Sequence, residues 1–155
     1  MEINGLPLHP LVVHAVVVLG PLAGLTGLAY AFVPRWRWLL RWPLVALSLV
    51  VAVTAFVAVQ AGDSLLDARP ELEPLVETHE ERGELLRNWS LSFVIDAALA
   101  AWALGGGSAL ASGRGARDTK GVIGWIAMVL LVLGSIGLVV LVFLAGDSGA
   151  QVVWG

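Results

Sequence analysis

Six side chains in this chain of 155 residues have the chemistry for a site: His9, His14, His79, Asp63, Asp96 and Asp147. Imidazoles ligate haem iron or divalent metals, or relay protons near neutral pH, and a neighbouring carboxylate fixes the tautomer of a ligating ring. The sequence has no cysteine, which excludes disulfides, thiolate zinc sites, cysteine-held iron–sulfur clusters and thioether-attached haem. It also has no glycine-rich phosphate loop, nucleophile elbow or HExxH zinc helix, so no enzyme class can be assigned. The run Glu77, Glu80, Glu81 and Glu84 lacks EF-hand spacing and reads as a solvated face.

Spacing constrains how the six can cooperate. His14 follows His9 by about 6 Å of helix rise and roughly 140° of rotation, a poor chelating pair on one regular helix. Asn88, Ser92 and Asp96 recur every fourth residue, a polar stripe that should point inward, because a carboxyl in hydrocarbon costs about 2.5–3.5 kcal/mol. Ala61-Gly62-Asp63-Ser64 and Ala145-Gly146-Asp147-Ser148 match one another and suggest a two-fold repeat of helix pairs. Bland roles compete at every position: an interfacial histidine at His79, a hydrogen-bonded carboxyl at Asp96, solvated helix ends at Asp63 and Asp147. The functional expectation rests on all six falling in one half of the membrane.

The elements that would position them are transmembrane. The chain is 58% hydrophobic and 14% charged, against roughly 25% charged in soluble domains. Its net charge of −3 offers no footprint for nucleic acid. The expected fold is all-α: an integral membrane four-helix bundle in a single domain, residues 1–155, with spans near 10–33, 40–61, 88–110 and 121–145. An extra amphipathic helix, near 71–87 between spans 2 and 3, should lie along the membrane face with His79 on its apolar stripe. Pro21 should kink the first span, and Gly62 and Gly146 should end the second and fourth. Gly20, Gly24, Gly27, Gly134 and Gly137 should let helices approach closely.

Orientation follows from the loops. Arg35, Arg37, Arg41, Arg114, Arg117 and Lys120 face only Asp118, a net +5, while the other side carries three arginines and eleven carboxylates, a net −8. The positive-inside rule then puts both termini outside the cytoplasm. Trp36, Trp38, Trp42 and Trp125 would mark the inner interface, and Trp89 and Trp154 the outer one. Glu2, with no basic residue near it, argues against a signal peptide.

Gly5-Leu6-Pro7-Leu8-His9-Pro10-Leu11-Val12-Val13-His14, then His79-Glu80-Glu81-Arg82-Gly83, then Gly146-Asp147-Ser148-Gly149-Ala150 and Val153-Trp154-Gly155 resemble the domain-of-unknown-function 2231 family. The resemblance covers essentially the whole chain and implies a small bacterial membrane protein with four spans. It implies membrane redox chemistry too, since some relatives are associated with Rieske-type iron–sulfur domains. Many actinobacterial relatives carry His where this chain has Asp147, which leaves helix 1 and the amphipathic segment to supply imidazoles.

Two readings follow. In the first, the bundle binds haem b or a metal ion for electron transfer: His14 and His79 are the ligands, His9 the substitute, and Asp63 or Asp96 the orienting groups, with a redox protein as partner. In the second, it is a proton- or ion-linked carrier, or an accessory subunit of a larger membrane complex, with Asp96 and the kink at Pro21 central and homo-oligomers expected.

Overall fold

The computed structural model describes residues 2–3, 6–105 and 121–154. The basic loop with Arg114, Arg117 and Lys120, and the third span beyond Gly105, lie outside the described residues, as do Gly5 and Gly155 of the end motifs. A two-residue β ladder pairs Glu2–Ile3 with Leu6–Pro7. Four long helices follow: α1 (Leu8–Phe32), α2 (Arg37–Ala68), α3 (Glu73–Leu104) and α4 (Val122–Trp154). Among the described residues three helical stretches are long and apolar enough to cross a membrane: Leu8–Phe32, Pro34–Ala68 and Val122–Val152.

Each helix carries one seam of small or apolar residues at three- and four-residue spacing. On α2 it reads Leu44, Ser48, Val51, Ala55 and Ala58, on α3 Leu86, Ser90, Phe93, Ala97, Ala100 and Leu104, and on α4 Ala127, Leu131, Leu138, Val142 and Ala145, all buried. An average repeat near 3.5 residues is the spacing at which side chains interlock between neighbouring helices in bundles. The four seams meet in the cyclic order α1, α2, α3, α4, each helix antiparallel to both neighbours. Glycines set the closest approaches. A Cβ on Gly20 would stand 2.6 Å from Val142, and one on Gly24 2.6 Å from Val139. On α4, Gly134 and Gly137 make room for Asp96 and for the Trp89 indole. The expectation of close packing at these glycines matches the geometry.

Two expectations about the elements need correction. The amphipathic segment is no separate helix on the membrane surface; it is the first half of α3, because the Leu86, Ser90, Phe93 seam continues back through Gly83 to His79 without a break in period. Neither Gly62 nor Gly146 ends its helix. A glycine inside a helix costs only about 1 kcal/mol, and tertiary contacts outweigh that. Pro21 sits within a continuous α1. At 1.5 Å per residue, α2 and α3 are each about 48 Å long. A hydrocarbon core is about 30 Å thick, so several turns extend beyond it.

The end away from the termini is closed by arginine. Arg37 is buried, donating from Nε to the Tyr30 carbonyl at 3.0 Å and from Nη2 to the Ala31 carbonyl at 3.0 Å. It thereby satisfies two of the carbonyls that a helix C-terminus leaves without partners. Trp36, Trp38, Trp42 and Trp125 stand exposed around this end, as an aromatic belt requires.

Candidate functional site

His9 belongs to the seam of α1, in step with Val13, Val16, Gly20, Gly24 and Gly27. Its ring therefore turns inward at the end of the bundle that carries both termini. Its Nδ1 lies 2.8 Å from the carbonyl oxygen of Ala58 on α2. A carbonyl can only accept, so Nδ1 carries the proton and donates it. His79, at the start of the α3 seam, repeats the arrangement on α4: its Nδ1 donates to the Ala145 carbonyl at 3.0 Å, with the Ser148 hydroxyl 3.4 Å away. Ser148 itself donates to the same carbonyl at 3.0 Å.

Both rings lie where a side chain would otherwise be. A Cβ on Gly62 would come within 3.3 Å of the His9 Nδ1, and one on Gly149 within 2.9 Å of the His79 Cε1. Each imidazole thus bonds a carbonyl and covers the glycine one turn further along the same helix. These contacts make Ala58 equivalent to Ala145 and Gly62 to Gly149. The expected match of Gly62 with Gly146 is therefore three residues out of register, and nothing stands within 4 Å of a Cβ on Gly146.

The two rings meet each other. Their centroids are 5.8 Å apart with planes at 87°, an edge-to-face pair in direct contact. Since each neutral ring keeps its proton on Nδ1, each Nε2 is a bare acceptor, and no hydrogen bond occupies it among the described residues. Burial lowers the His79 pKa below its ordinary 6.5, against the opposing pull of the Ala145 carbonyl, and the neighbouring His9 ring lowers it further.

Two cavities adjoin the pair. A small recess of about 50 Å³ runs inward among Val13, Val16, Ala55, Leu86 and Val142. A larger cavity of about 260 Å³ opens outward, its walls formed mostly by Val59, Leu65, Leu66, Leu72, Val76 and Val152. His9 and His79 line both, and Asp63 and Glu80 border the larger one. Below the recess the seam is closed by side chains such as Val51, Phe93, Leu131 and Leu138.

The remaining expected site residues lie elsewhere. His14 is exposed on α1 and its Nδ1 bonds the Pro10 carbonyl of its own helix, so the pairing of His14 with His79 is replaced by His9 with His79. The physical reason is helix rotation: five residues carry His14 out of the seam that holds His9. Asp147 is exposed, near Arg82 at 3.9 Å, and accepts from Gln151 at 2.9 Å. Arg82 also donates to the Leu144 carbonyl at 2.9 Å. Asp96 lies about 25 Å further along α3 than His79. It packs half-buried against Gly134, so the six residues do not form one pocket. Trp89, expected in the outer belt, inserts between α3 and α4, its indole N–H donating to the Gly134 carbonyl at 3.0 Å.

The residues present do not fit the expected cofactors. Among the described residues no group of three or more His, Cys, Asp or Glu side chains converges to hold a metal ion. The expected bis-histidine haem needs two Nε2 lone pairs aimed from opposite sides of a porphyrin, and the His9 and His79 rings, in edge contact, leave no gap between them for that plane.

Seam-packed apolar helices with a polar pair at one end define a helical membrane protein. Residues 5–155 match the family described as a predicted membrane protein, DUF2231, and the chain belongs to that family. No curated protein and no solved structure matches the chain.

Proposed function

We propose that this protein is a membrane-embedded binding module that takes a small, mostly apolar molecule from the outer leaflet and holds its polar group at His9 and His79. In this reading all four helices span the bacterial cytoplasmic membrane, α3 through its second half. The arginine-bearing end faces the cytoplasm under the positive-inside rule, and both termini lie outside. The cavity then sits at the interfacial level, where α2 and α3 extend beyond the hydrocarbon.

The observation that carries the proposal is the convergence of two imidazoles, each locked by a backbone carbonyl, on an apolar cavity with both Nε2 atoms available. Locking a ring through Nδ1 is how proteins present Nε2 for work. A binding role is favoured over proton conduction because Asp96 lies about 25 Å along α3 from the pair and the seam below the recess is closed by packed side chains such as Val51, Phe93, Leu131 and Leu138.

A phenyl diazirine carried in liposomes with the full-length protein tests this reading. After irradiation, peptide mass spectrometry should find adducts on the cavity walls, Leu66, Val76 and His79, and Val76→Trp should remove them. Labelling confined to lipid-facing side chains and indifferent to Val76→Trp would overturn the proposal.

A further inference from the structure

The geometry points to the chemical class of the molecule: a neutral single ring bearing hydroxyl groups, of the phenol or hydroquinone type, which donates its hydroxyl hydrogen to Nε2 of His9 or His79. This rests on the binding module proposed above and adds to it a hydrogen-bond polarity and a size.

Polarity comes from the tautomers. Both Nδ1 atoms give their hydrogen to helix carbonyls, at 2.8 Å for His9 and 3.0 Å for His79. What remains on each ring for a ligand is then a lone pair, and a lone pair selects a donor. The other polar groups bordering the cavity are the carboxylates of Asp63 and Glu80, which also accept and which repel anions. No arginine or lysine lines the cavity among the described residues, and Arg82, three residues on from His79, is turned to the Leu144 carbonyl and toward Asp147. A fatty acid carboxylate or a lipid phosphate would meet acceptors and negative charge here. A quinone, whose carbonyls only accept, would find no donor on neutral rings.

Size comes from the volume. About 260 Å³ lies between the roughly 150 Å³ cavity that admits benzene and the roughly 300 Å³ at which pockets for drug-sized ligands begin. One substituted ring fits. Valine and leucine walls suit a ring face or alkyl substituents and offer nothing to the several hydroxyls of a polyol.

Nothing covalent is required. Binding forms an O–H···Nε2 hydrogen bond and withdraws a ring from water or lipid. Protonation of either imidazole would convert its Nε2 to a donor and abolish the match, so affinity should fall at acid pH. The titratable groups that border the cavity beside the pair are Asp63 of α2 and Glu80 of α3, and the Ser148 hydroxyl of α4 lies 3.4 Å from the His79 Nδ1.

The test uses the detergent-purified full chain at pH 8 without oxygen, with three probes: trimethylhydroquinone, trimethylquinone and octanoate. Calorimetric titration should give an affinity for the hydroquinone at least tenfold above that for either other probe. His9→Asn and His79→Asn each keep a donor near the Nδ1 position and remove the Nε2 acceptor. One or both should lower hydroquinone affinity at least tenfold while the melting temperature stays close to that of the parent. His9→Gln or His79→Gln, which place an amide oxygen near the Nε2 position, should recover part of the loss. Equal binding of hydroquinone and quinone would overturn the assigned class and leave the cavity reading standing. Binding of octanoate alone would overturn the class through its charge. Binding of none of the three would overturn the class, and with a failed diazirine experiment it would take the binding module too.

Discussion

The two half-bundles solve one problem with different tightness. On α1 and α2, His9 makes one bond, to Ala58, and stands 3.3 Å from the place of a Gly62 Cβ. On α3 and α4, His79 shares the Ala145 carbonyl with Ser148, presses to 2.9 Å over Gly149, and has Arg82 pinned to Leu144 one residue away. The α3–α4 half is thus the rigid jaw. The α1–α2 half, with Asp63 exposed beside the larger cavity, has the freedom to adjust.

Several substitutions would break or sharpen that asymmetry. The largest effect should come from removing each ring. His79→Ala loses a hydrogen bond worth about 1 kcal/mol and opens a void against Leu86 and Ala145, so thermal denaturation in detergent should show a loss of about 2 kcal/mol. His9→Ala should cost about half as much. Equal losses would erase the distinction between the jaws.

Glycine replacements come next. Gly149→Ala should push the His79 ring off Ala145, visible as a shift of its imidazole resonances, while Gly62→Ala should displace His9 by only a few tenths of an ångström, offset by up to about 1 kcal/mol of helix propensity. Undisturbed His79 signals in Gly149→Ala would show that the seat is looser than 2.9 Å implies.

Acid should act on the His79 jaw. The His79 pKa is lowered by burial, so the unfolded chain binds a proton more readily than the folded one. That contribution is present in full above about pH 6.5 and is lost as pH falls below it. Melting temperature should therefore drop between about pH 7 and pH 5, and His79→Asn should flatten the profile. A rise over that window would reverse the sign. The smallest effect belongs to Asp147→Asn: an ion pair at 3.9 Å between partly exposed groups is worth about 0.5 kcal/mol or less.

Much of the fold was legible because lipid demands long apolar helices and short connections. The packing faces were legible from Gly20, Gly24 and Gly27, since only small residues let helices approach closely. The site was harder. α1 is apolar on every side, so amphipathicity does not say which face turns inward, and His14 lies deeper in the span than His9. The glycine register held the answer: stepping back by threes and fours from Gly27 reaches His9 and bypasses His14. The same step along α3, from Phe93 through Ser90, Leu86 and Gly83, reaches His79 and shows that the amphipathic segment and the span are one helix. The meeting of His9 with His79 was not legible, because it depends on how two helix pairs are set side by side. Asp96, one residue off the Phe93–Ala97 seam, falls at the edge of the α3–α4 contact against Gly134, a placement that its type alone does not reveal.

The central claim is that two neutral imidazoles, protonated on Nδ1 and bare on Nε2, face one another at the terminal end of the bundle. Nitrogen-15 solid-state NMR of the histidine-labelled protein in lipid at pH 8 reads tautomer and proximity together. The account predicts the Nδ1–H tautomer for His9 and His79, an inter-ring cross-peak between them, and none from His14 to His79. An Nε2–H tautomer on either ring, or a His14–His79 cross-peak in place of the His9–His79 one, would contradict it.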